Sequence, residues 1–100
     1  MREQDRVADF FDEHDLEGEP AYQLLDLTSE VGELAKDAVE STDYGASGEV
    51  EVKSDEVGDV LFSLLAVANS LDLDASACLD EAIEKYESRI EATGTASSGE

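Results

Sequence analysis

The sequence predicts an all-α protein, a four-helix antiparallel bundle, and three observations predict it. Apolar residues recur at i, i+3, i+4 and i+7 in four separate stretches, as they do in helices with one buried face. Clusters of Gly, Pro, Ser and Asp stand between those stretches, where they stop helices. No run alternates as a strand does; the one extended piece, Val50–Val52, is too short to build a sheet alone.

The first helix, Arg2 to Asp15, carries Val7, Phe10 and Phe11 at helical spacing. "EGEP" at Glu17–Pro20 ends it, and Pro20 suits the first turn of the next helix because its fixed φ is already helical. That second helix runs from Ala21 to Ser41 with Leu24, Leu27, Val31, Leu34, Ala35 and Ala38 as its apolar stripe. "DYGASGE" at Asp43–Glu49 reads as a loop. The third helix begins near Ser54, a good N-cap residue with acids in the turn behind it, and ends near Leu71. Asp74 or Ser76 caps the fourth, Ala75 to Ala92, which presents Leu79, Ala82, Ile83, Tyr86 and Ile90 on one face. Residues 1–92 thus form one helical domain. The small, polar segment 93–100, "TGTASSGE", is expected to be a disordered tail.

The 100 residues carry 27 Asp+Glu against 6 Lys+Arg, a formal charge of −21. A chain so acidic has no basic patch to release counterions from a phosphate backbone, which argues against nucleic acid as a partner. Its apolar fraction of 41% supplies a core, so the charge does not imply disorder. Such a surface repels itself at ordinary ionic strength and suits a high-salt, halophilic cytoplasm. A lone cysteine, Cys78, excludes an internal disulfide and a Cys-based zinc site, and its place beside Leu79 reads as a small core residue. No secretory pattern opens the chain and no apolar run approaches membrane-spanning length, so a cytoplasmic protein without a membrane partner is expected.

Two nearly identical stretches, "SEVGEL" at Ser29–Leu34 and "DEVGDV" at Asp55–Val60, each hold two acids three residues apart around a Val-Gly pair. Acids at i and i+3 repel one another, and glycine inside a helix costs roughly 1 kcal/mol relative to alanine. The third helix is apolar nearly all round from Val57 to Ala68, yet with Glu56 at zero Asp59 falls near 300°, Ser63 near 340° and Ser70 near 320°, taking about 100° per residue. Polar groups on one line of a buried helix need compensation. Only Lys53, Lys85 and Arg89 lie after Lys36, so bases are scarce. Hard oxygen ligands without basic partners point to a cation such as Mg²⁺ or Mn²⁺. On the second helix Glu30 and Glu33 lie at zero and about 300°, flanking a stripe centred near 80°. Two such helices packed antiparallel bring four carboxylates to one largely dry seam. Gly32 and Gly58 then mark places where a neighbouring backbone or ligand comes close.

E-x-x-E on one helix, a spacer, and E-x-x-D on the next resembles the metal-binding signature of the all-α nucleoside triphosphate pyrophosphohydrolases, the MazG-like group. The separation of Glu30 from Glu56, 56 − 30 = 26 residues, is compatible with it. "LTSEVGELAKD", "DEVGDVLFSLLAVANSLDLD" and "EAIEKYESRI" also read like that family, so the resemblance covers the chain from His14 to Ile90. It implies a helical homodimer or homotetramer that hydrolyses a nucleoside triphosphate between its α and β phosphates, releasing a monophosphate and pyrophosphate. It implies Glu30, Glu33, Glu56 and Asp59 as the catalytic, Mg²⁺-binding set, with Glu33 a candidate to orient or deprotonate water. House-cleaning of non-standard nucleotides is the usual role of such enzymes.

Lys85 and Arg89, one turn apart on the fourth helix, match the family's phosphate-holding bases; Glu81 at i−4 offers Lys85 a salt bridge instead. Where many members carry an asparagine next to the lysine, this chain has Tyr86 and Glu87. That departure motivates the alternative of a catalytically weak module that binds metal, nucleotide or a protein partner. A purely structural acidic bundle is the third reading. "DLDASACLDE" at Asp72–Glu81 imitates a calcium loop but lacks its central glycine and its twelfth-position glutamate. His14 reads as a surface residue.

Overall fold

In the computed structural model, which describes residues 1–94, α1 spans Arg2–Glu13, α2 Pro20–Ser41, α3 Ser54–Ser70 and α4 Ala75–Thr93. No strand occurs among the described residues, and Val50–Val52 is an unpaired connection. Pro20 occupies the first turn of α2. Asp74 caps α4, its carboxylate accepting the N–H groups of Ser76 and Ala77 at 3.0 and 3.4 Å. The N-cap of α3 is Lys53 rather than Ser54, and no side chain closes that end. Lys53 is held there because its N–H donates to Asp37 Oδ2 at 3.1 Å. Beside it the Glu51 N–H donates to Ser41 Oγ at 2.8 Å, so the connection from α2 to α3 is tied at two points. The expected tail falls largely on residues 95–100, outside the described residues; Thr93 ends α4 and Gly94 caps it in the left-handed region at φ 80°.

α3 is the central element, with α2 and α1 both packed against it. The core lies in its C-terminal half, where Leu65, Ala66, Val67 and Ala68 are buried and Val7 of α1 joins them. Phe62 packs edge-on to Phe10 and stacks on Phe11, at centroid distances of 5.6 and 5.9 Å. Gln4 fastens α1 to the α3–α4 turn with both ends of its buried carboxamide. Its Nε2 donates to Asn69 Oδ1 and the Leu73 carbonyl, at 3.0 and 2.6 Å, and its Oε1 accepts the Ala75 N–H at 2.8 Å.

α4 leaves this body. The chain turns through 105° between α3 and α4, passing Asp72 at φ 54°, and no residue of α4 is buried. Leu79, Ile83, Tyr86 and Ile90 are exposed, as is Cys78, which is not the core residue its neighbours suggested. Leu24 and Val31 of α2 and Val57, Leu61 and Leu64 of α3 are exposed as well. Among the described residues no single helix is long and apolar enough to cross a membrane.

Candidate metal centre

α2 and α3 run antiparallel, and their facing residues form a ladder. Asp37 meets the Lys53 N–H at one end, and Gln23 and Ala66 line a shared cavity at the other. Acids fill the rungs between. Glu30, Glu56 and Asp59 each bring a carboxylate oxygen to within 4.8 Å of the other two. Glu30 and Glu56 are half-buried and Asp59 is exposed. The seam of the single chain is therefore wetter than expected, because the apolar residues that should dry it, Val31, Val57 and Leu61 among them, lie open themselves.

The field at this seam is one-sided. Burial pushes the Glu56 carboxyl above its ordinary value near 4.5, and Asp37, Asp55, Asp59 and Glu33 push it the same way. The first turn of α3 moderates this, since unpaired N–H groups at a helix start favour negative charge. No lysine or arginine pairs with the trio among the described residues; the ion pair present is Lys36 with Glu40 at 3.9 Å, one turn apart on exposed α2 surface. The donor set fits a hard divalent ion. Oxygens on one octahedral Mg²⁺ lie roughly 3–4 Å apart, a spacing close to the 4.8 Å within which the trio already lies.

Glu33 is exposed and stands outside the trio, though near enough to act on Glu56. Asp37 belongs to the same acidic line and was missed. Glu30, Glu33 and Asp37 sit at i, i+3 and i+7, so extending the E-x-x-E pattern by one turn would have found it. Lys85 and Arg89 are not brought to the acids within one chain. They flank Tyr86, 5.1 and 5.6 Å from its ring centre, on a helix that starts beyond the far end of α3. The salt bridge from Lys85 to Glu81 does not form either. His14 is exposed and lies against Phe10 at 4.5 Å.

Of the two neighbours expected at the helical glycines, a backbone or a ligand, the backbone of the same chain is not there. A Cβ on Gly32 or Gly58 would meet nothing within 4 Å, so no part of the chain crowds them. The crowded one is Gly18 in the α1–α2 loop, where a Cβ would overlap the carboxamide of Gln23.

Comparison with known proteins identifies the family of the chain. The chain is similar to the uncharacterized protein YpjD of Bacillus subtilis (strain 168), 35% identical over 75 residues, which is 70% of this chain and 66% of that protein. It thus spans just under two thirds of that relative's length. No solved structure matches it significantly. The model of the MazG nucleotide pyrophosphohydrolase domain matches residues 19–93, a stretch that holds α2, α3, α4 and every acid of the seam. On that match the chain belongs to the MazG nucleotide pyrophosphohydrolase family.

Proposed function

We propose that the protein is a Mg²⁺-dependent nucleoside triphosphate pyrophosphohydrolase, for which Mn²⁺ can substitute, acting on non-standard nucleotides in the cytoplasm as a homodimer or homotetramer. The observation that carries the reading is the trio of carboxylates from two helices with no base among them. Glu30, Glu56 and Asp59 would hold the ion, which when bound neutralises charge on the phosphates and acidifies water. We assign Glu33 the work of orienting the attacking water and accepting its proton, since it stands beside the trio without belonging to it. Water adds to the α-phosphorus, the bond to the bridging oxygen breaks, and pyrophosphate leaves with the electron pair of that bond. Lys85 and Arg89 would hold phosphate from a neighbouring copy, because α4 carries them away from the acids of their own chain. The open apolar faces of α2, α3 and α4 support such an assembly.

The test is pyrophosphate release in concentrated KCl with Mg²⁺ and a panel of nucleoside triphosphates, deoxy and oxidised forms included. Release that disappears with EDTA, and in Glu56→Gln and Asp59→Asn, is the expected result. The second reading, a catalytically weak module that binds metal or nucleotide, draws on the association of both cations with Tyr86. It predicts a metal-raised melting temperature with no release.

A further inference from the structure

Electrostatics alone would open the acid end of the α2–α3 seam. Glu56 is opposed by Asp37, Asp55, Asp59 and Glu33, and among the described residues no lysine or arginine side chain bridges the two helices there. Packing does not close it either. The buried residues of α3, Leu65 to Ala68, all lie at its other end, and α2 buries only Gln23. Glu30, Glu56 and Asp59 nevertheless stand within 4.8 Å of one another. Like charges so placed separate unless the backbone that carries them is held.

Two side chains of α2 hold it. Asp37, half-buried, accepts the Lys53 N–H through Oδ2 at 3.1 Å, and Ser41, one turn further on, accepts the Glu51 N–H through Oγ at 2.8 Å. The Ser41 hydroxyl is itself aimed by donating to the Ala38 carbonyl at 2.7 Å. The two bonds fit because their spacings match. Four residues of helix rise about 6 Å, and two residues of extended chain cover about 6.6 Å. Lys53 is extended, with φ −78° and ψ 139°. Residues 51–53 are therefore laid antiparallel along the end of α2, backbone N–H groups against side-chain oxygens. Glu56 follows the second bond by three residues, and its own N–H donates to the Lys53 carbonyl at 3.1 Å. The clasped residue thus carries the first turn of α3.

We infer that Asp37 is a positioning residue for the metal centre: with Ser41 it clamps residues 51–53 to α2 and so fixes Glu56 and Asp59 opposite Glu30. The inference rests on the metal reading above and divides the labour among the acids. Glu30, Glu56 and Asp59 face the ion, while Asp37 stays outside the trio and uses its charge on a backbone N–H. A carboxylate suits that task, because hydrogen bonds to a charged acceptor are stronger than neutral ones. The drawback is one more negative charge beside Glu56, which a bound cation would offset.

The test measures Mn²⁺ affinity of the intact protein by electron paramagnetic resonance, in concentrated KCl that screens the rest of the acidic surface. It needs no nucleotide and no turnover. Asp37→Asn and Asp37→Ala remove the same charge, but asparagine keeps an oxygen that can accept the Lys53 N–H. Asp37→Ala should therefore bind Mn²⁺ about tenfold more weakly than Asp37→Asn, the size of effect seen for residues that orient metal ligands. In the metal-free protein the Lys53 amide proton should exchange with solvent faster in Asp37→Ala than in Asp37→Asn. Ser41→Ala alters no charge and should weaken Mn²⁺ binding as well, whereas Gln4→Leu, which loosens the opposite end of α3, should leave it unchanged. Equal affinities in the two Asp37 variants would overturn the inference, since a metal ligand or a bare charge is lost to asparagine as fully as to alanine. An equal loss in Gln4→Leu would overturn it too, as would natural affinity in Ser41→Ala, the variant that decides alone should Asp37→Ala not fold. Mn²⁺ bound by the natural chain without pyrophosphate release would sink the enzyme reading and leave the clamp standing. No Mn²⁺ binding by the natural chain would sink the metal centre and the role of the clamp with it.

Discussion

The two halves of α3 solve opposite problems. In the C-terminal half Leu65 to Ala68 are buried, Phe62 is flanked by two rings, and Gln4 ties off the turn that follows. In the N-terminal half Glu56 and Asp59 face Glu30 across the seam without a base, and Val57 and Leu61 lie open beside them. One half accumulates favourable packing, and the other stores repulsion that a bound cation would relieve. The difference teaches that packing accounts for one end of this helix and leaves the acids at the other without a folding role.

The largest expected effect strikes the packed half. Leu65→Ala removes a side chain only 2% exposed and should cost about 2–5 kcal/mol in chemical denaturation; a cost under 1 kcal/mol would mean that the core lies elsewhere. Next comes the strained half. Glu56→Gln should lower metal-dependent turnover about 100-fold or more while raising the melting temperature of the metal-free protein, since it removes a carboxylate that its neighbours oppose. A metal-free melting temperature that falls instead would break the contrast. Gln4→Leu should destabilise by about 1–3 kcal/mol, because it orphans the Ala75 N–H and the Leu73 carbonyl together, with turnover per folded molecule unchanged. Gly32→Ala and Gly58→Ala should each stabilise by up to about 1 kcal/mol, as their Cβ positions are open. If stability rises while activity drops, those glycines reserve room for a ligand or a second copy.

The smallest effect is one of pH. Folding raises the Glu56 pKa, so the native chain binds more protons than the unfolded chain above the ordinary value near 4.5. Glu56 therefore makes stability fall as pH rises from about there through its folded pKa. The acidic surface as a whole acts in the same direction. The contribution of Glu56 is the part of the slope that Glu56→Gln removes at constant high salt, and saturating Mg²⁺ should remove it too.

Helix positions were legible because their signals are local. Pro20 opens α2 and Asp74 caps α4 through bonds within a few residues. Ser54 misled by one place because the competing partner of the Lys53 N–H, Asp37, lies 16 residues away in sequence. The convergence of Glu30, Glu56 and Asp59 could be read from period and hydropathy, since each acid pair flanks the apolar side that its helix turns toward the other. Asp37 was not legible in E-x-x-E because it stands one turn beyond that pattern, and its partner, the Lys53 N–H, is a backbone group. The direction of α4 was not legible, as an apolar stripe shows which face needs cover and not what covers it. Nor was Gln23, whose burial depends on a loop glycine meeting it from outside its own helix.

The departure of α4 makes it a lever with a short pivot at Leu71–Asp74. Arg89 rides about 21 Å along that arm, so a swing of roughly 10° at the pivot would move its guanidinium by some 4 Å, taking about 1.5 Å of rise per residue. The reach of the two cations is thus decided by whatever surface α4 comes to rest on. Pyrophosphate release per molecule that rises with protein concentration would be the kinetic trace of that dependence.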